Sequence, residues 1–174
     1  VFLGLMVLVT SLVLVACGGG DRGGTQANKL VEWYELSPDA VFDTNTPVTI
    51  HFWHRMGAAS QQLVQKWIGE FKEIYPNITV VETKVGTDYG ALADKIALSI
   101  PAGTTPDIAE SYPDHIARYA QAKAPLALNN FISHPVYGMS EADQADFLEG
   151  LWNEGKSYDT AGTILSLPFT KSSE

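Results

Sequence analysis

Apolar and polar residues alternate from Val48 to Trp53, with Val48, Ile50 and Phe52 on one side and Thr49, His51 and Trp53 on the other. That period of two is the mark of a strand. The period then changes. Leu63, Val64, Trp67, Ile68, Phe71, Ile74 and Tyr75 are separated by steps of one and three, which lays them in one stripe at 3.6 residues per turn. The stripe predicts a helix from about Ala58 to Tyr75, ended by Pro76. Ile78–Val85, rich in valine and threonine, predicts a second strand. Gly86-Thr87-Asp88 offers a turn and an N-cap for a second helix with Leu92, Ala93, Ile96 and Ile100 on one face, stopped at Pro101-Ala102-Gly103. Asp107–Ser111 fits a short third strand and His115–Gln121 a short helix. Glu141–Trp152 predicts a longer helix, and Lys156–Leu167 two short strands around Asp159-Thr160-Ala161-Gly162. Ala27–Pro47, with its prolines and turn residues, reads as an irregular lead-in. Strand, helix, strand, helix, strand with short joints makes two βαβ units. The expected class is α/β, a mostly parallel sheet flanked by helices.

The start of the chain follows neither period. Thirteen of the sixteen residues Val1–Ala16 are apolar and none is charged. The run is short of the roughly 20 residues that span a bilayer but has the length of a signal-peptide core. No initiator Met or basic region precedes it, so the sequence is expected to begin inside a longer reading frame. Leu14-Val15-Ala16-Cys17, followed by Gly18-Gly19-Gly20, resembles a bacterial lipobox. Small side chains there let a peptidase reach the scissile bond, and the Cys17 thiol would carry the lipid. The competing reading is a membrane or buried helix that ends in a cysteine. Each buried acyl CH₂ contributes about 0.8 kcal/mol, so two or three chains hold a protein to a membrane. Gly18–Thr25, with five glycines, reads as a tether. The expected location is the outer face of the bacterial cytoplasmic membrane, lipid-anchored, or the periplasm.

Composition adds exclusions. Without the leader the apolar share falls from 45% to about 41%, ordinary for a globular domain. The net charge of −9 lies wholly in the body, with Lys+Arg 11 against Asp+Glu 20 and no basic cluster, which argues against a nucleic-acid partner. One cysteine excludes an internal disulfide framework and a cysteine-based zinc site. His51 and His54 point to opposite faces of a strand, and His115 and His134 stand alone, so no metal site is expected. Glu70/Glu73 and Asp143/Asp146/Glu149 fall on polar helix faces, a solvated pattern rather than two acids flanking a substrate. No nucleophile elbow, phosphate-cradling loop or dinucleotide fingerprint occurs, and no cofactor is expected.

Several segments in order carry a resemblance: Val48–Met56, Phe71…Tyr75-Pro76-Asn77-Ile78, Gly86…Tyr89…Leu92…Lys95, Gly103…Thr105-Pro106-Asp107-Ile108 and Gly162…Leu165…Leu167-Pro168-Phe169…Ser172-Ser173. Together with the lipobox they resemble the N-terminal part of the family 1 extracellular solute-binding proteins of carbohydrate-type ABC importers, especially the branch with the glycerol-3-phosphate-binding proteins. The resemblance implies a periplasmic-binding-protein-like (type II) fold of two lobes. Residues 1–16 would then be a truncated lipoprotein signal peptide, 17–47 the anchor cysteine and tether, and 48–174 a partial N-terminal lobe. A second lobe would follow. The implied function is a lipid-anchored substrate-binding subunit without catalysis. It would capture a carbohydrate, polyol or glycerol-phosphate solute between its lobes and deliver it to the membrane permease. The rivals are a membrane-anchored extracellular polysaccharide hydrolase and a structural or adhesive lipoprotein.

Ligands of open α/β folds sit beyond the carboxyl ends of the strands. Trp53 and His54 end strand one, where an aromatic face suits a sugar, though Trp53 equally fits a core position. The resemblance makes Tyr89 and Ser172 ligand contacts, against plain helix-start and turn roles. Tyr112 and Asp114 follow strand three. The glycerol-3-phosphate branch has an acidic contact aligned with Pro113, and Asp114 is its nearest substitute, which shifts the expectation toward a carbohydrate or related polyol. Arg55 and Lys171 read first as solvated surface cations.

Overall fold

The computed structural model describes residue 37 and residues 39–170. The leader, Cys17, the tether, most of the lead-in, Lys171 and Ser172 lie outside the described residues. Within them the elements run β1 Val48–His54, α1 Ala58–Ile74, β2 Ile78–Lys84, α2 Tyr89–Ala102, β3 Ile108–Ala109, α3 Pro113–Gln121, α4 Asn129–Ile132, α5 Glu141–Ala145 and α6 Glu149–Glu154. The sheet order is β2-β1-β3, all parallel. Val48 pairs with Ile78 and His54 with Lys84 on one side of β1, and Phe52 with Ile108 and Trp53 with Ala109 on the other.

The chain leaves β1 for β2, then returns past β1 to β3. Right-handed crossovers in opposite directions place α1 and α2 on opposite faces. The strand alternation feeds both layers. Phe52 and Val80 face Val64, Ile68 and Phe71 of α1. Trp53 and Ala109 pack instead on the buried Leu92, Ala93 and Ile96 of α2 and Tyr119 of α3. A second cluster joins Ile116, Ala120, Ala127 and Leu165, with Tyr158 against it. The α1 stripe is only partly covered among the described residues, since Trp67 is 45% exposed.

The turn into α2 explains its sequence. The Asp88 carboxylate accepts from the Ala91 N–H at 2.8 Å, a standard N-cap. Gly86 has φ +67, and a Cβ there would lie 2.6 Å from Ala91 Cβ, so only glycine fits. At the other end Pro101 sits inside the last turn, and Gly103, at φ 64, closes the helix. Asn77 Nδ2 donates to the carbonyls of Asp43 and Thr46 and ties the lead-in beneath the sheet.

Three expectations change. Glu141–Trp152 is two helices rather than one. Ser140 opens α5 with a capping box, but α5 buries no residue, and the extended Leu148 breaks the run before α6. Lys156–Leu167 forms no strand. Asp159 folds this segment on itself, accepting from Ala161 N, Thr163 N and Thr163 Oγ1. Ile164 and Leu165 then bond to separate pieces of chain, at Leu128, Asn129 and Gly155, rather than to a neighbouring strand. Finally, β3 keeps two residues where five were expected. At its ends the Asp107 and Glu110 amides still donate to the His51 and Trp53 carbonyls, while the return bonds go to side chains, His51 N to Asp107 Oδ2 and Arg55 N to Glu110 Oε2.

Candidate functional site

The carboxyl ends of β1 and β3 are where a crevice must open. Chain leaving β1 turns to the α1 face and chain leaving β3 to the opposite one, so the two connections diverge at this edge. Four side chains meet there. Arg55 follows β1, Glu110 follows β3, Tyr89 opens α2 and Tyr112 is the N-cap residue of α3. Glu110, with its side chain 8% exposed, is the hub. One oxygen accepts from the Arg55 N–H at 3.0 Å, and the other accepts from the Tyr89 hydroxyl at 2.8 Å and lies 3.8 Å from Arg55 Nε. The Arg55 guanidinium carbon sits 4.0 Å from the centre of the Tyr89 ring, a cation–π distance. Tyr112 also packs on Tyr89, with ring centres 4.0 Å apart, and is 41% exposed.

Burial first, and then the neighbouring Glu110, raises the Tyr89 phenol above its ordinary value, against the opposing pull of Arg55. The Tyr89 phenol foremost, and Glu110 with it, raise the Arg55 guanidinium. Arg55 is therefore a fixed cation, with the Glu110 carboxyl 3.8 Å from its Nε. Tyr89, Glu110 and Tyr112 also line a cavity of about 700 Å³ that runs along β3, together with Ile108, Ile116 and the stretch 165–170; Arg55 is not among its lining residues. That volume lies within the range of small-molecule sites.

The candidates from sequence separate into groups. Tyr89 and Tyr112 come together at the crevice. Asp114 stands in the first turn of α3, exposed, 3.8 Å from His115 Nε2, and makes no contact with the Arg55–Glu110 pair. Trp53 faces the α2 core, with Lys95 Nζ 5.6 Å from its ring centre. His54 is fully enclosed and bonds to Glu82. Ser172 and Cys17 lie outside the described residues. Sequence reasoning missed Glu110 and misjudged Arg55, which is half-buried in the cluster rather than solvated. The available signal was a carboxylate directly after the apolar pair Ile108-Ala109, where a strand delivers its next residue to the crevice.

Glu82 stands apart from the crevice. Burial would raise its carboxyl, but Gln61, Gln65 and His54 all donate to it, and together they hold it below the ordinary carboxylate value. A lowered folded-state value means that stability is present above the unfolded carboxylate range and is lost as pH falls through the folded value. Urea unfolding midpoints are expected to fall below about pH 4.5 in the wild type. The Glu82→Gln variant should show a shallower fall over the same range, and equal slopes would refute the assignment. Among the described residues no group of three or more His, Cys, Asp or Glu side chains converges on a point. No described helix is long and apolar enough to cross a membrane.

A parallel α/β lobe of this kind recurs in known structures of the type II periplasmic-binding-protein class. A family 1 extracellular solute-binding protein from Alicyclobacillus acidocaldarius superposes with TM-score 0.53 at 20% identity, over 65% of this chain and 26% of its own. The maltotriose-binding protein of Thermus thermophilus, solved with maltotriose, gives 0.53 at 18%, over 68% and 28%. The galacto-N-biose-/lacto-N-biose I-binding protein of a Bifidobacterium longum ABC transporter, solved with lacto-N-biose, gives 0.52 at 18%, over 68% and 28%. The chain thus spans about a quarter of the length of these structures. No curated protein matches it in sequence. Residues 54–172 match the bacterial extracellular solute-binding protein family, and the chain belongs to that family.

Proposed function

We propose that this chain supplies one wall of the solute cleft in the binding subunit of an ABC importer, and that the solute is a carbohydrate or related polyol. The observation that carries the reading is the Arg55–Tyr89–Glu110–Tyr112 cluster at the strand reversal. It presents an exposed aromatic face with hydrogen-bonding groups around it, which suits a ring with an apolar face and hydroxyl edges. The charge balance favours a neutral solute over a glycerol phosphate, because Glu110 already neutralises Arg55. The relatives solved with maltotriose and lacto-N-biose support the same class. In this reading Ser172 adds a hydroxyl contact, a second lobe closes over the solute, and the closed form is what the permease recognises. Cys17 carries the lipid anchor, and the protein works at the outer face of the membrane without turnover.

A thermal-shift panel of sugars, polyols and glycerol phosphates on the full-length protein tests this. Binding to the native state alone stabilises by about 2.7 kcal/mol at a hundredfold excess over Kd. A rise in Tm with one sugar or polyol and no chemical change in it is the expected result. Hydrolysis of a glycoside would assign the protein to the hydrolases instead, and no shift across the panel would remove the solute-binding reading.

A further inference from the structure

His54 lies at the end of β1 beside the site, yet its imidazole is fully enclosed. Both ring nitrogens are engaged. Nδ1 accepts from the Met56 N–H at 3.1 Å, so that nitrogen carries no hydrogen. The proton therefore sits on Nε2 and is donated to Glu82 Oε2. The other Glu82 oxygen accepts from Gln61 Nε2 at 2.8 Å and Gln65 Nε2 at 2.7 Å, both from the first turns of α1. The His54 carbonyl also accepts from Val85 N at 2.7 Å. A continuous relay thus runs from α1 through β2 to the turn that leaves β1. Arg55 is the residue spanned by that turn, and its N–H meets Glu110 while its guanidinium covers Tyr89.

We propose that His54 is a positioning residue. Held in one tautomer by Glu82, it clamps the Met56 N–H and so fixes the backbone at Arg55 in the orientation that reaches Glu110. It presents nothing to a solute itself. The inference rests on the crevice being the binding site, but the clamp has its own signature. A general loss of packing would loosen the whole strand, whereas loss of the clamp frees two amides.

Three variants of the full-length protein separate these cases by amide hydrogen exchange. In His54→Asn the side-chain oxygen still accepts from an N–H two residues on, as an Asx turn does. His54→Gln retains reach to Glu82 but displaces the acceptor, and His54→Leu removes both bonds. The expected result is protection at Arg55 and Met56 kept within about threefold in His54→Asn, and lost by at least about tenfold in the other two. The β1–β2 ladder amides should keep theirs in all three. Protection at Arg55 and Met56 that survives in His54→Leu overturns the proposal, as does a uniform loss along both strands. Should a variant fail to fold, ¹⁵N imidazole shifts of the wild type decide, since a hydrogen on Nδ1 is incompatible with the clamp. Failure of the solute panel with these results intact would remove the site's function and leave the clamp standing.

Discussion

Replacing Glu110 with alanine is expected to cost about 2–3 kcal/mol of stability and to abolish measurable solute binding. The carboxylate accepts from the Arg55 N–H and the Tyr89 hydroxyl and pairs with the Arg55 guanidinium. Its removal leaves two donors and a cation without their acceptor in a poorly hydrated place. Partial exposure of Arg55, at 35% of its side chain, keeps the cost below that of a fully buried pair. Glu110→Gln retains an acceptor oxygen without the charge and should recover part of the loss. Urea unfolding of the three forms checks the order wild type, glutamine, alanine. An alanine variant within about 0.5 kcal/mol of wild type, the usual range for an inconsequential surface change, would mean that Glu110 does not organise the crevice.

Trp53 carries the second large effect, and it acts on stability rather than on binding. The indole packs on Leu92, Ala93, Ile96 and Tyr119, the apolar layer that joins α2 and α3 to the sheet. Trp53→Ala should destabilise by about 3 kcal/mol through lost contacts and the cavity left behind. Trp53→Phe keeps most of the packing and should cost less than about 1.5 kcal/mol. The phenylalanine variant should bind solute as the wild type does. A variant of normal stability that fails to bind would put Trp53 back in the cleft.

Local periodicity made most of the sheet and its two long helices legible. The β1 alternation sends Phe52 to the α1 layer and Trp53 to the α2 layer, the α1 stripe follows one helical face, and the Asp88 cap marks its turn through chemistry confined to four residues. The C-terminal half was less legible because its partners are distant in sequence. Leu128, Asn129 and Gly155 satisfy the backbone of Ile164 and Leu165, so a stretch with strand composition has no strand beside it. The same cause hid the hub of the site. Glu110 matters through Arg55 and Tyr89, which are 55 and 21 residues away; its place after Ile108-Ala109 marks it as a strand-end carboxylate but does not name those partners. Trp53 and His54 share one boundary of β1, but their roles differ by face. One strand step turns Trp53 into the α2 layer and His54 toward Glu82.

Chemical-shift mapping of the ¹⁵N-labelled chain during titration with maltotriose, lacto-N-biose and glycerol phosphate tests most directly whether the crevice is a solute surface. One wall of a cleft should bind weakly, with a dissociation constant on the order of millimolar, or about −4 kcal/mol. The predicted result is a saturable shift of the Arg55, Tyr89, Glu110 and Tyr112 amides with at least one of the two sugars, and a smaller response to the phosphate. Saturable shifts that cluster elsewhere on the lobe, or none at these four residues with any of the three, would contradict it.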